Sequence, residues 1–136
     1  MSLADRQREM VARLAIIEDP QERLAALISR GKKWPAPDQA HLTEPYRVRG
    51  CQSRVWLVPT VEEGKCHFRM ECDSPMVKGL VALLCELYEG GATEEVRELE
   101  PTLIEDLGFS RMISPTRLNG LAAVRTRIRE FATGRA

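Results

Sequence analysis

Long apolar runs are missing from this sequence. No stretch approaches the roughly 18 residues of a membrane-spanning helix, and the opening MSLADRQREM lacks the apolar region of a signal peptide. We therefore expect a cytoplasmic protein that does not act in a membrane. In a reducing compartment, the four cysteines are expected to be thiols and not disulfides.

A charge excess of either sign is missing as well. The 20 basic and 20 acidic side chains cancel, so the chain exerts no long-range attraction on nucleic acid or on an anionic membrane. Net charge therefore does not select the partner. The 136 residues suit a single domain, 1–136, which we expect to be a monomer or a weak homodimer.

Close cysteine pairs and nucleotide-binding glycine loops are also absent. The cysteines stand at 51, 66, 72 and 85, without the Cys-x-x-Cys spacing by which zinc and cluster sites are usually recognised. The sequence contains no phosphate-cradling glycine loop. It therefore gives little support for a metal site or a nucleotide site.

The apolar pattern predicts helices at both ends of the chain around a small sheet. Helical spacing predicts helices over 3–18 and 20–31, and the proline-rich segment 32–45 is expected to be an extended surface loop. Period-two alternation then predicts three strands. The strands are 46–49, 55–58 and 66–71. This order predicts an α+β fold, with an antiparallel sheet of about three strands packed against N- and C-terminal helices.

Two longer helices are predicted after the sheet. Asp73 or Ser74, followed by Pro75, starts a helix that is apolar around most of its circumference and should be the most buried one. On spacing alone, Asp73 is the helix cap. Short helices follow, and Ser114 begins the last helix.

The stretch RGCQSRVWLV, residues 49–58, carries the main chemical question. Free cysteine is often simply buried as a small hydrophobe, and that interpretation of Cys51 stays open. Against it, Gly50 permits a turn conformation closed to other residues, and reactive groups concentrate on loops. Arg47, Arg49 or Arg54, if one points at the sulfur, favours the nucleophilic thiolate or binds a partner.

The remaining candidates have structural explanations. Cys66 and Cys85 fall on apolar faces and are expected in the core, whereas Cys72 is ambiguous. His67 comes near Cys51 only if the hairpin brings it there, and a surface histidine is favoured.

Arg117 stands out in the last helix. It lies in the first turn, where its charge opposes the helix dipole. Local conflicts of this kind are sometimes functional.

Three blocks of the sequence, VRGCQSRVWLV, CDSPMVKGLVALL and ISPTRLNGL, resemble the SufE family of sulfur-acceptor proteins, which includes the CsdE branch. The resemblance implies a fold shared with IscU-type scaffold proteins, with the reactive cysteine on a loop at the edge of the sheet. It also implies that Cys51 accepts persulfide sulfur from a cysteine desulfurase of the SufS or CsdA type and stimulates that enzyme. The sulfur then passes to the SufB-containing SufBCD scaffold.

The resemblance extends to the surroundings of Cys51. The supporting loop and partner-surface residues that it implies are Arg49, Gly50, Gln52, Ser53, Asp73 and Arg117. It implies no metal and no cofactor for this chain, because the pyridoxal phosphate belongs to the desulfurase. Cys72 departs from the family pattern, which commonly has serine there; it is either a second thiol that resolves the persulfide or a buried thiol.

Two alternatives remain at this stage. An iron–sulfur cluster scaffold on the same fold would need several converging ligands. A stand-alone cysteine enzyme would need a base close to Cys51. The isolation of Cys51 from other thiols in the sequence suits a carrier better than a redox enzyme, and it suits an iron–sulfur scaffold poorly.

Overall fold

The computed structural model describes residues 1–134, so the last two residues of the predicted 1–136 domain lie outside the described residues. The elements, in chain order, are α1 (Leu3–Ala15), α2 (Pro20–Gly31), β1 (Val55–Glu62), β2 (Lys65–Cys72), α3 (Pro75–Tyr88), α4 (Thr93–Glu98), α5 (Leu103–Asp106) and α6 (Pro115–Ala132). Short 3₁₀ turns cover Gln39–His41, Glu44–Tyr46 and Phe109–Arg111. This arrangement confirms the α+β class. Within residues 1–134, no helix has the length and apolar character needed to cross a membrane.

The sheet is a two-stranded antiparallel hairpin. Val55 lies opposite Cys72 at one end, and Glu62 lies opposite Lys65 at the turn. Because side chains alternate along a strand, one face of the hairpin points into the core. The buried side chains of that face are Val55, Leu57, Cys66, Phe68, Met70 and Cys72.

Helix α3 is the centre of the core, as the sequence predicts. Pro75 begins it and most of its side chains are buried, including that of Cys85. It packs between β2 and α2. The crossing with α2 depends on two glycines, because a Cβ on Gly31 would lie 2.6 Å from the Cα of Gly79.

The prediction of a third strand, over residues 46–49, is wrong. Arg47 forms only an isolated bridge with Trp56, and the Val48 N–H donates to the Val55 carbonyl at 2.8 Å. The segment before Arg47 is a 3₁₀ turn, and Gly50 just after it has a left-handed φ of 88°. Too few residues remain between the two turns to form a strand.

Two helix boundaries also differ from the prediction. Helix α1 ends at Ala15 and not at residue 18. Beyond its end, Nε of Arg23 donates hydrogen bonds to the Leu14 and Ile17 carbonyls, which are then satisfied outside the helix. Ser74, and not Asp73, caps α3, since its hydroxyl accepts the Val77 N–H at 3.4 Å.

The proline-rich segment is a surface loop, as predicted. The indole N–H of Trp34 donates to the Phe68 carbonyl at 3.2 Å, and the Met70 N–H donates to the Pro35 carbonyl at 3.3 Å. The loop therefore lies along β2 and covers backbone groups that an edge strand would otherwise expose.

A cysteine loop on helix α6 as the candidate functional site

Cys51 lies on a short loop, residues 49–54, which we call the Cys51 loop. The left-handed Gly50 turns the chain, a conformation that residues with a side chain rarely adopt. The hydrogen bond between Val48 and Val55 closes the base of the loop. Cys51 is half-buried, whereas the other cysteines are buried free thiols.

Helix α6 provides the surface on which the loop lies. A Cβ built on Gly120 would lie 2.8 Å from Sγ of Cys51, and one built on Gly50 would lie 3.4 Å from Cβ of Ala123. Gly120 and Ala123 are three residues apart and therefore neighbours on one helix face. On the same face, the Arg127 guanidinium donates to the Arg47 carbonyl at 3.4 Å and so holds the start of the loop.

Asp73 holds the end of the loop. Its carboxylate accepts the Arg54 backbone N–H at 3.0 Å and the Arg54 Nε at 3.2 Å, and the Asp73 N–H donates to the Arg54 carbonyl at 3.1 Å. The arginine holds the pKa of Asp73 below its usual value, chiefly through this side-chain hydrogen bond. Both side chains are exposed, so we expect the pair to add little to global stability.

A cleft of about 360 Å³ opens beside the thiol. It is lined by Cys51, Gln52, Ser53, Asp73, Val77, Thr116 and Arg117. Arg117 brings a positive charge to the cleft, and its Nη1 donates to the Met76 sulfur at 3.0 Å. Its backbone N–H donates to the capping Ser114 hydroxyl at 3.3 Å, which fixes the first turn of α6.

The Cys51 thiol is protonated at neutral pH when the loop is in this position. Burial raises its pKa above the ordinary value of 9.0, and the Asp73 charge adds to that effect. A hydrogen bond from the Ser53 backbone and the charge of Arg47 lower the pKa, but by less. The expectation that one of the nearby arginines lowers the pKa of Cys51 is met by Arg47, but burial outweighs that charge while the loop is in this position.

Cys72 is a poor second thiol. It lies at the end of β2, close enough for a Cys51 thiolate to raise its pKa further. Burial is the main cause that raises the pKa of Cys72 to about 11. Since the thiolate is the nucleophile, a buried and protonated Cys72 is badly placed to resolve a persulfide.

The histidines lie elsewhere. His67 pairs with Thr60 across the hairpin, five positions along β2 from Cys72, which is roughly 17 Å at the usual rise per residue. Its Nδ1 lies 2.6 Å from a Glu89 carboxylate oxygen. His41 and His67 line a different groove, against Trp34. The structure therefore provides no histidine base for Cys51 in the described part of the chain.

The same part of the chain offers no metal centre. Among residues 1–134, no group of three or more His, Cys, Asp or Glu side chains is arranged to hold a metal ion. Cys66 and Cys85 are fully buried in the core, which confirms the prediction made for them.

The structure brings most of the predicted site residues together, but their roles stay predictions. Gln52, Ser53, Asp73 and Arg117 line the cleft with Cys51, and Gly50 makes the turn beside it. Arg49 is exposed and does not line the cleft.

Sequence reasoning missed the α6 residues beneath the loop. These are Thr116, which lines the cleft, Gly120 and Ala123, which contact the loop, and Arg127, which holds its start. Their spacing of three or four residues is the signal that could have identified them, because it places all of them on one helix face.

Known proteins resemble this chain over most of its length. It is 34% identical over 106 residues to the sulfur acceptor protein CsdE of Escherichia coli, covering 76% of this chain and 72% of that protein. It is 31% identical over 123 residues to the cysteine desulfuration protein SufE of Plasmodium vivax, covering 88% of this chain and 49% of that protein. A solution structure of a hypothetical protein from Thermus thermophilus matches with a TM-score of 0.79 at 26% identity, covering 95% of this chain and 94% of that one.

A family model described as SufE, an Fe–S metabolism associated domain, matches residues 8–132. These residues include the Cys51 loop, the hairpin, α3 and all of α6. The resemblance inferred from the three sequence blocks is thus confirmed, and the chain belongs to the SufE family.

Proposed function

We propose that this protein is a sulfur acceptor and carrier. It takes persulfide sulfur from a cysteine desulfurase of the SufS or CsdA type onto Cys51, stimulates that enzyme, and passes the sulfur to the SufB-containing SufBCD scaffold. The observation that carries the proposal is that Cys51 is the half-buried thiol of the four, on a loop beside an open cleft. The names of the relatives, a sulfur acceptor and a cysteine desulfuration protein, support the same role.

The transfer is a thiol exchange that needs no oxidant. Cys51 loses its proton to solvent water, and its thiolate attacks the outer sulfur of the donor persulfide. The donor sulfur–sulfur bond breaks, the donor cysteine leaves as a thiolate, and a new persulfide forms on Cys51. The number of sulfur–sulfur bonds is unchanged, so the step is neutral in electrons.

The cleft can accommodate the outer sulfur of a persulfide on Cys51. A sulfur–sulfur bond of about 2.05 Å extends the side chain, and the backbone of Gly120 closes the side toward α6. The open side is the cleft, where Arg117 offers a positive charge to a persulfide anion. Positive charge near a sulfur favours its anionic form.

The proposal also states which cofactor the reaction uses, where the protein acts and how it assembles. The chain holds no cofactor of its own, and the pyridoxal phosphate stays with the desulfurase. The four free thiols support a reducing compartment, the cytoplasm. The protein acts as a monomer or weak homodimer, without nucleic acid or membrane.

Desulfurase turnover tests the proposal. Alanine production from L-cysteine is measured with a SufS- or CsdA-type enzyme, without added reductant, in the presence of wild type, Cys51→Ser or Cys72→Ser. Wild type and Cys72→Ser should stimulate turnover, and Cys51→Ser should not. Equal stimulation by Cys51→Ser would contradict the acceptor role.

The cluster-scaffold alternative has its own test. Anaerobic reconstitution with iron and sulfide should leave the isolated protein without the visible absorption of a cluster, because the described residues hold no converging ligand set. A stable cluster bound at Cys51 would favour the scaffold.

A further inference from the structure

We propose that Gly120 is a positioning residue whose missing side chain forms the seat for the Cys51 sulfur on α6. The seat is Gly120 itself; the adjoining Ala123 lies beside Gly50, because a Cβ built on Gly50 would be 3.4 Å from the Cβ of Ala123. The seat fixes how deeply the sulfur lies while the loop rests on the helix. The role of this contact in sulfur transfer rests on the proposed function. The contact between Gly120 and Cys51 does not depend on it.

The contact leaves no room for a side chain at this position unless the Cys51 sulfur moves. An ideal Cβ on Gly120 would lie 2.8 Å from Sγ, 3.5 Å from Cβ and 3.7 Å from Cα of Cys51. The first of these distances is shorter than Cβ contacts in proteins allow. Gly120 is itself buried within α6, so a methyl group there could not point into solvent.

Helix stability does not explain the glycine. Glycine in a helix interior is less stable than alanine, since it loses more backbone freedom on folding. Position 120 lies in the second turn of an 18-residue helix with helical neighbours on both sides. Room for the Cys51 sulfur is the feature of the structure that requires glycine here.

The seat also determines how the thiol is shielded. Arg127 holds the chain just before the loop through the Arg47 carbonyl, and Asp73 holds the end of the loop. Between these two points the loop lies against Gly120. A methyl group at 120 would push Sγ away from the helix and into the cleft beside Arg117. The thiol would then be better solvated, and its proton easier to remove.

The pH profile of alkylation tests this. The rate of Cys51 modification by iodoacetamide is followed from pH 6 to 11 in wild type, Gly120→Ala and Asn119→Ala. Gly120→Ala should move the midpoint to lower pH and raise the rate at neutral pH by about threefold to tenfold, since a thiol pKa lower by about one gives roughly ten times more thiolate there. Asn119 is exposed on the same turn, so its alanine variant controls for helix propensity and should match wild type.

An unchanged or higher midpoint in folded Gly120→Ala would overturn the proposal. Should that variant not fold, Gly120→Ala is combined with Cys51→Ala, and urea unfolding shows whether removing the sulfur restores a folded protein. Gly120→Ala should destabilise the protein when Cys51 is present and be neutral or stabilising when the sulfur is gone. Equal destabilisation in both backgrounds would overturn the seat. Neither readout uses a desulfurase, so failure of the seat and failure of sulfur transfer are separate results.

Discussion

Cys51 and Cys72 lie at the same end of the molecule and both thiols have a raised pKa, but they are buried in different ways. Cys72 is a residue of β2, paired with Val55 and buried in the core. Cys51 lies on a loop that rests on α6 through a glycine contact. Burial raises the pKa of both thiols. It makes Cys72 inaccessible within the core, whereas it covers Cys51 only as long as the loop rests on α6.

The difference lies in what must break to expose each sulfur. Exposing Cys72 disrupts the hairpin ladder and the packing around it. Exposing Cys51 breaks the contact on Gly120 and strains the hydrogen bonds at either end of the loop, which Arg127 and Asp73 make at the protein surface. None of these contacts belongs to the hairpin ladder or to the core, so we expect exposure of Cys51 to cost less than exposure of Cys72.

The largest effect is expected in the region of Cys72. Leu57 is fully buried on the core face of β1, and Leu57→Ala should lower the free energy of unfolding by about 2–5 kcal/mol because it leaves a cavity. Urea unfolding measures the loss. Val61→Ala is the matched control, since Val61 is 47% exposed on the same strand and should cost much less. Equal losses would mean that the hairpin face is not the core.

High pH should destabilise the protein through the same region. The pKa of Cys72 is about 11 in the folded protein against 9.0 for an ordinary thiol, so the unfolded chain releases this proton first. The stabilisation from this group is fully present below pH 9.0 and is lost as the pH rises through about 11; the loss is roughly 3 kcal/mol, because each pKa unit corresponds to about 1.4 kcal/mol.

Urea unfolding between these pH values measures that loss. Cys72→Ala should reduce the slope of stability against pH more than Cys51→Ala does, because Cys51 is less buried. The same slope in wild type and Cys72→Ala would contradict the prediction.

A change at Asp73 should act on reactivity more than on stability. Asp73→Asn removes the ion pair with Arg54 and a charge that raises the pKa of Cys51. We expect alkylation of Cys51 to become faster at neutral pH, while the free energy of unfolding changes little because the pair is exposed to solvent. Asp38→Asn, an exposed change at a different groove, is the control. Slower alkylation in Asp73→Asn would contradict this assignment.

The smallest effect is expected from the arginines. Arg47 lowers the pKa of Cys51, so Arg47→Ala should slow alkylation, though by less than about threefold because the partly exposed charge is screened. Arg49 is exposed and lies outside the cleft, so Arg49→Ala should match wild type in this assay. A larger effect at Arg49 than at Arg47 would reverse the assignment.

Local patterns predicted most of the fold and part of the site. The alternation in β2, the apolar run that begins β1 and the apolar circumference of α3 are local signals, and each is confirmed, although β1 continues to Glu62 and Ser74 caps α3. The third strand is absent because the turns on both sides leave only isolated pairing at Arg47 and Val48. The family blocks located most of the residues that line the cleft.

Long-range contacts and burial could not be predicted in this way. Gly120 is 69 positions from Cys51 in the sequence, and no local pattern shows that the two are in contact. The arginines beside Cys51 favoured a thiolate on charge alone. Burial outweighs them, and burial is a property of the folded chain.

Intact-protein mass spectrometry without reductant shows whether Cys51 itself takes up the sulfur. The protein is incubated with a cysteine desulfurase and L-cysteine, with Cys51→Ser and Cys72→Ser in parallel. We expect a gain of one sulfur atom in wild type and Cys72→Ser, and none in Cys51→Ser. Sulfur retained by Cys51→Ser, or absent from wild type with a desulfurase that it stimulates, would contradict Cys51 as the acceptor.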